Sequence, residues 1–279
     1  MGSRIRVGLS LVTVVLACWM AAAGAQEPGH SPPAQGGAPS AAPTIGWSTD
    51  VGFALIANPE FQGSDSYRVL PVPYFDLRYS DQQGVKYFAN IPQGFGGYLK
   101  RDRGPRGATN DIFVSIAPGF ANREVEDVDG IDEFGTAAEL RVGWEFARGG
   151  WSLNTTLAQA LASGHEGMYL DVGASRRGRI GSRGFWSVGP RLRIADSQYM
   201  DALYGVTSSE AAASGLDAFD AGAGLESAGL QGVISVPVGK RWRATTVLGV
   251  SRLLSDAADS TLIESSNQAF FLTALTTRF

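Results

Sequence analysis

The stretch "AELRVGWEF", residues 138–146, reads with a period of two. Ala138, Leu140, Val142, Trp144 and Phe146 form one series; Glu139, Arg141, Gly143 and Glu145 form the other. Successive side chains of a strand point to opposite faces, so this is a strand with one apolar and one charged face. The same pattern recurs on either side. Residues 151–161 set Trp151, Leu153, Thr155 and Leu157 against Ser152, Asn154 and Thr156. Residues 168–175 set Met168, Leu170, Val172 and Ala174 against Tyr169, Asp171, Gly173 and Ser175. Residues 186–194 set Trp186, Val188, Pro190, Leu192 and Ile194 against Ser187, Gly189, Arg191 and Arg193.

From residue 46 onward no apolar run is long enough to span a bilayer as a helix. Alternating segments lie near 46–57, 67–79, 85–91, 94–101, 111–119, 136–147, 150–161, 166–176, 184–195, 223–238, 241–253 and 268–279. Twelve segments are counted, or ten if 85–101 is read differently. A soluble antiparallel sandwich would also alternate, so the connectors have to decide. Every second connector is short, and all but the first are basic: 80–84, 102–110, 148–150, 176–184, 238–241. Several of the others are long and acidic: 121–135, 195–222, 255–267. Such sorting is the layout of an all-β transmembrane antiparallel barrel, with short periplasmic turns and long outer loops. Trp144, Trp151, Trp186 and Trp242 fall near segment ends, where interfacial aromatics sit.

The last segment, "AFFLTALTTRF" (269–279), fits the same scheme. Phe271, Leu275 and Phe279 are expected to face lipid and Arg278 the lumen, with the segment pairing to the first strand. Its alternating apolar residues and terminal aromatic resemble the carboxy-terminal signal read by the bacterial outer-membrane assembly machinery.

The amino terminus reads as a secretory signal, residues 1–25. Arg4 and Arg6 precede the apolar run 7–20, and "AGA" at 23–25 suits cleavage between Ala25 and Gln26. A short membrane anchor, or a lipid-bearing Cys18 in "VLAC", are alternative readings. Cys18 is the only cysteine, so a mature chain would have no disulfide and no cysteine-based metal or nucleophile site. Two of the 23 basic residues lie in the signal, leaving 21 against 27 acidic ones, a net charge of −6. An acidic protein is a poor nucleic-acid binder. Residues 26–44 are rich in Pro, Gly and Ala and read as a flexible periplasmic tail; the barrel is expected over 45–279.

The charged residues on the lumen series are Arg68, Asp76, Arg78, Glu139, Arg141, Glu145, Asp171, Arg191, Arg193 and Arg278. Both signs are present, which predicts cross-lumen pairing and a largely occluded interior. Ser163, His165 and Glu166 crowd one loop and are not expected to form a catalytic triad; His165 is read as a solvated loop residue, and no enzyme activity is expected. The acidic run 124–133 lacks EF-hand spacing and is read as solvated; no metal or other cofactor is expected. "VTSSEAAASG" (206–215) carries a capping box, Thr207 with Glu210, and a Gly215 stop, which predicts a short helix in the longest loop. Pro71 and Pro73 lack N–H groups on the same side of one strand, which predicts a break in the ladder on that side.

Residues 58–79, "NPEFQGSDSYRVLPVPYFDLRY", resemble the MipA/OmpV family of outer-membrane proteins, as do 195–216, 219–232 and 251–260. The resemblance implies a barrel that serves as a scaffold for murein (peptidoglycan) synthesis, bringing a lytic transglycosylase together with a murein polymerase. Porin-like and adhesive members make a small-solute channel or a surface adhesin the alternatives. Outer-membrane lipid is the other expected partner.

Overall fold

The computed structural model describes residues 45–279, apart from 124, 126, 127 and 163 and the side chain of residue 106. The signal and tail readings, and Ala25 and Gln26 with them, lie outside the described residues. Twelve strands form one closed antiparallel barrel in which each strand pairs with its chain neighbours. They are β1 (Gly46–Pro59), β2 (Tyr67–Asp81), β3 (Gly84–Asn90), β4 (Gly94–Arg103), β5 (Thr109–Gly119), β6 (Ala137–Arg148), β7 (Trp151–Ala162), β8 (Met168–Ile180), β9 (Gly184–Ala195), β10 (Gly224–Val238), β11 (Trp242–Leu253) and β12 (Asn267–Arg278). Of the counts read from the sequence, twelve is the one observed.

β12 closes on β1 from Asp50↔Arg278 to Ala57↔Phe271. No sheet edge is left on that side to attract another strand. The barrel is inside-out relative to a soluble protein. In β6, Glu139, Arg141 and Glu145 are buried while Leu140 and Val142 are 38 % and 44 % exposed. Leu153, Leu157, Val188, Leu192, Ile194, Phe271 and Leu275 are exposed likewise. An apolar exterior around a polar interior suits a bilayer and would be costly in water.

The two ends of the barrel differ. One carries two- to five-residue turns, for example 149–150 and 181–183; the other carries 120–136, 196–223 and 254–266. Trp47, Trp151 and Trp242 begin their strands at the short-turn end and are exposed. Trp47 packs on Tyr79, and Tyr79 on Tyr87, with ring centroids 5.2 and 6.2 Å apart. These rings form an aromatic girdle at that rim.

The expected break beside Pro71 and Pro73 is present. The β1–β2 ladder runs unbroken from Gly46↔Ser80 to Pro59↔Tyr67. The β2–β3 ladder covers only Asp76 to Asp81. β3 and β4 form a short hairpin, and on its far side β5 pairs with β4 only up to Ile116. The wall therefore has a notch between the upper part of β2 and the top of β5. Prolines at 71 and 73 place no unmatched N–H in it.

Candidate functional site

The lumen is divided into a filled half under the long loops and an open half at the short turns. The filled half starts from β6, whose inward face carries Glu139 and Arg141. Arg141 Nε donates to Glu139 Oε2 at 2.8 Å, and its two Nη groups donate to the carbonyls of Pro92 and Pro118 at 2.8 and 2.9 Å. Tyr169 donates its hydroxyl to Glu139 Oε2 at 2.9 Å. His165 Nε2 lies 3.0 Å from Glu139 Oε1, and Nδ1 accepts the N–H of Gly167 at 3.2 Å. Nδ1 is thus the acceptor and Nε2–H the donor.

His165 is fully buried, which corrects the reading of it as a solvated loop residue. Its loop folds inward because Glu139 offers a buried carboxylate that needs donors. Both ring nitrogens are engaged within the protein; Ser163 lies outside the described residues.

Beside this cluster, Arg193 grips Asp171 with two hydrogen bonds, 2.8 and 3.0 Å, and donates to the Tyr199 hydroxyl at 3.0 Å. Its guanidinium lies 4.2 Å from the Tyr169 ring centroid. Tyr199 belongs to a helix missed in the sequence, α1 (Ser197–Tyr204), capped by Asp196, whose Oδ1 accepts the Tyr199 N–H at 2.8 Å. Tyr199, Met200, Leu203 and Tyr204 of α1 are buried. Tyr204 donates to Glu226 Oε1 at 2.7 Å, and Gln62 donates to the same oxygen at 2.8 Å. Burial, reinforced by Glu226, pushes the Tyr204 phenol well above its ordinary pKa, so it acts as a neutral donor. The longest loop thus plugs the mouth, with tyrosines inserted into a charged lumen.

The expected helix is α2 (Ser208–Ser214), with Thr207 as N-cap, the complete capping box and Gly215 in the left-handed conformation. Glu210 does more than cap. Its Oε1 accepts Arg123 Nη2 at 2.8 Å and the Asp132 N–H at 2.9 Å, while Oε2 accepts the Thr207 N–H at 2.8 Å. It ties the 120–136 loop to α2. The acidic run is therefore not simply solvated: Val125 and Ile131 are buried with Phe61, Val206 and Leu262. Among the described residues no group of His, Cys, Asp or Glu is placed to hold a metal ion.

The open half holds a cavity of about 510 Å³ reached from the short-turn rim. Its polar lining includes Arg101, Asp111, Glu145, Arg177, Arg191 and Gln231. Arg103 and Arg101 both pair with Asp111, at 2.5 and 3.6 Å. Towards β3, Phe88, Tyr98 and Phe113 fill the interior with ring centroids 5.7 to 6.0 Å apart.

Of the lumen charges expected from alternation, Glu139, Arg141, Asp171 and Arg193 meet in the filled half. Glu145 and Arg191 line the cavity. Asp76 pairs with Arg78 at 2.5 Å, and Arg278 with Asp50 at 2.6 Å at the rim. Arg68 is half-buried at the notch. Glu226 is out of step with the inward series of β10, Gln231, Val233 and Ser235, and turns inward at a bulge between Leu225 and Ser227, so alternation alone would have placed it outside; Tyr199 and Tyr204 carry no comparable signal. Phe271, Leu275 and Phe279 all lie exposed at the outer surface, Phe279 at 79 %.

A closed twelve-stranded barrel with an apolar exterior, an aromatic rim and a plugged lumen defines a protein of the outer-membrane barrel class. The family model described as MltA-interacting protein MipA matches residues 51–279, and the chain belongs to that family. None of the curated proteins matches the chain.

Proposed function

We propose that this chain is a non-catalytic scaffold of the outer membrane. In this reading it binds a lytic transglycosylase of the MltA kind and brings it to a murein polymerase during peptidoglycan synthesis. The family match over residues 51–279 carries the reading. Two features of the barrel support it. The outward apolar face suits lipid, and the long-loop half of the lumen is filled by α1 and the Glu139 cluster, an arrangement suited to a support better than to a conduit. A solute channel is the competing reading, and it requires the plug to leave the mouth.

Orientation follows from the connectors: the long loops face outside and the short turns the periplasm. The partners would then meet the short-turn end. Cross-linking in intact envelopes, with identification of the bound proteins, tests the proposal; recovery of a lytic transglycosylase is expected. Recovery of none, together with stepwise single-channel conductance of the purified barrel in planar bilayers, would overturn it in favour of a channel. Epitopes inserted at Asp129 and Arg179 check the orientation: whole cells should label at Asp129 and not at Arg179.

A further inference from the structure

The cavity at the short-turn end holds donors that the protein itself leaves unmet. Arg101 Nε, Arg177 Nε and Gln231 Nε2 are buried atoms without a hydrogen-bond partner among the described residues. Glu145 Oε1 is a buried acceptor in the same condition. These are four of the nine such side-chain atoms, and all four belong to residues lining this one cavity. Gln231 and Glu145 are themselves more than nine-tenths buried. Native interiors leave few polar groups unpaired, and a cluster of them asks for an explanation.

The charge is also uneven. Arg101 and Arg103 share the single carboxylate of Asp111. Among the described residues Arg177 has no carboxylate within salt-bridge distance, and Arg179 at the rim donates to the Ser182 carbonyl. The lining therefore carries more guanidinium than carboxylate, in a space whose low-dielectric walls strengthen attraction for an anion. The cavity volume lies within the range of about 300–1,000 Å³ common for small-molecule sites.

We propose that this cavity is a binding site for a small hydroxylated carboxylate, a sugar acid in chemical class. The carboxylate sits against Arg177, whose planar fork matches it. Arg101 and Gln231 donate further hydrogen bonds, and a ligand hydroxyl donates to Glu145 Oε1. The site needs neither the scaffold role nor the proposed protein partner, so it can fail or stand alone.

Isothermal titration of the purified folded barrel with D-glucuronate, D-glucose and acetate at low salt tests it. Glucuronate should bind saturably, and at least tenfold more tightly than either glucose or acetate. Glucose binding as well as glucuronate would overturn the anion site; acetate doing so would overturn the hydroxyl contact to Glu145. No saturable binding of glucuronate would overturn the proposal outright. Arg177→Gln, confirmed as folded by its unheated gel mobility, should weaken glucuronate at least tenfold. Unchanged affinity in that variant would remove Arg177 from the site.

Discussion

Glu139 and His165 are 26 residues apart in the chain and meet inside the barrel, carboxylate Oε1 to imidazole Nε2 at 3.0 Å, both almost wholly buried. Three donors, from Arg141, His165 and Tyr169, converge on its two oxygens. Removing one partner of a buried, hydrogen-bonded charge leaves the other uncompensated, at a cost of about 3–5 kcal/mol. Glu139→Ala is therefore expected to lower the unfolding free energy by that amount, read by tryptophan fluorescence in guanidinium. His165→Ala, which removes one donor from the cluster, should cost about 1–3 kcal/mol. Equal stability of both variants to the parent would show that the cluster does not hold the lumen together.

Gly143 of β6 stands directly opposite Phe113 of β5 in the ladder. Phe113 is 1 % exposed, and its ring lies over the glycine, where a Cβ would collide with it. The ring cannot swing aside, because Phe88 and Tyr98 pack edge-on against it. Overpacking of this kind costs about 1–3 kcal/mol. Gly143→Ala should lower the denaturant midpoint accordingly, and a second change of Phe113→Leu should restore part of the loss.

Burial works against the Glu210 charge, but the N–H groups of Thr207 and Asp132, the Thr207 hydroxyl and Arg123 outweigh it and hold the carboxyl below the ordinary glutamate range. A depressed pKa adds stability that is complete above the unfolded value and is lost as pH falls through the folded one. The tie between α2 and the 120–136 loop should therefore persist from neutral pH to the ordinary carboxylate range and loosen in stronger acid. Hydrogen exchange over residues 205–216, corrected for its intrinsic pH dependence, measures this. Glu210→Gln should exchange faster at neutral pH and lose the acid transition.

At the notch beside β2, Pro71→Val with Pro73→Thr would add two N–H groups on the side that has no ladder partner. Each unmet donor costs about 1–3 kcal/mol. The double variant should be less thermostable than the parent. A rise in stability would mean that these positions find a partner on that side.

Phe279 exchanges two backbone hydrogen bonds with Thr49, at 2.8 and 3.2 Å, across the closing seam. Its ring stands exposed at the aromatic rim. Deleting Phe279 removes both bonds and the ring, so insertion should slow and unassembled protein should accumulate. The fraction of heat-modifiable protein in pulse-labelled membranes reports it.

The twelve strands, the α2 capping box and, away from bulges such as those at Glu226 and between Tyr98 and Lys100, the inward and outward faces were legible in the sequence. Each rests on a local rule: side chains alternate with a period of two, and Thr207 reaches Glu210 within one turn. The interruption beside Pro71 and Pro73 was legible for the same reason, since a missing N–H is a property of the residue itself. What the tertiary structure alone decided is where the loops go. That His165 is buried depends on Glu139 reaching it from β6. That α1 plugs the mouth depends on Arg193 and Glu226 presenting partners to Tyr199 and Tyr204. The cavity likewise exists only because residues from β4, β6, β8 and β10 face one another across the lumen. Such contacts join residues far apart in the chain, and the free energy that favours burying a polar group comes from the partner rather than from the group.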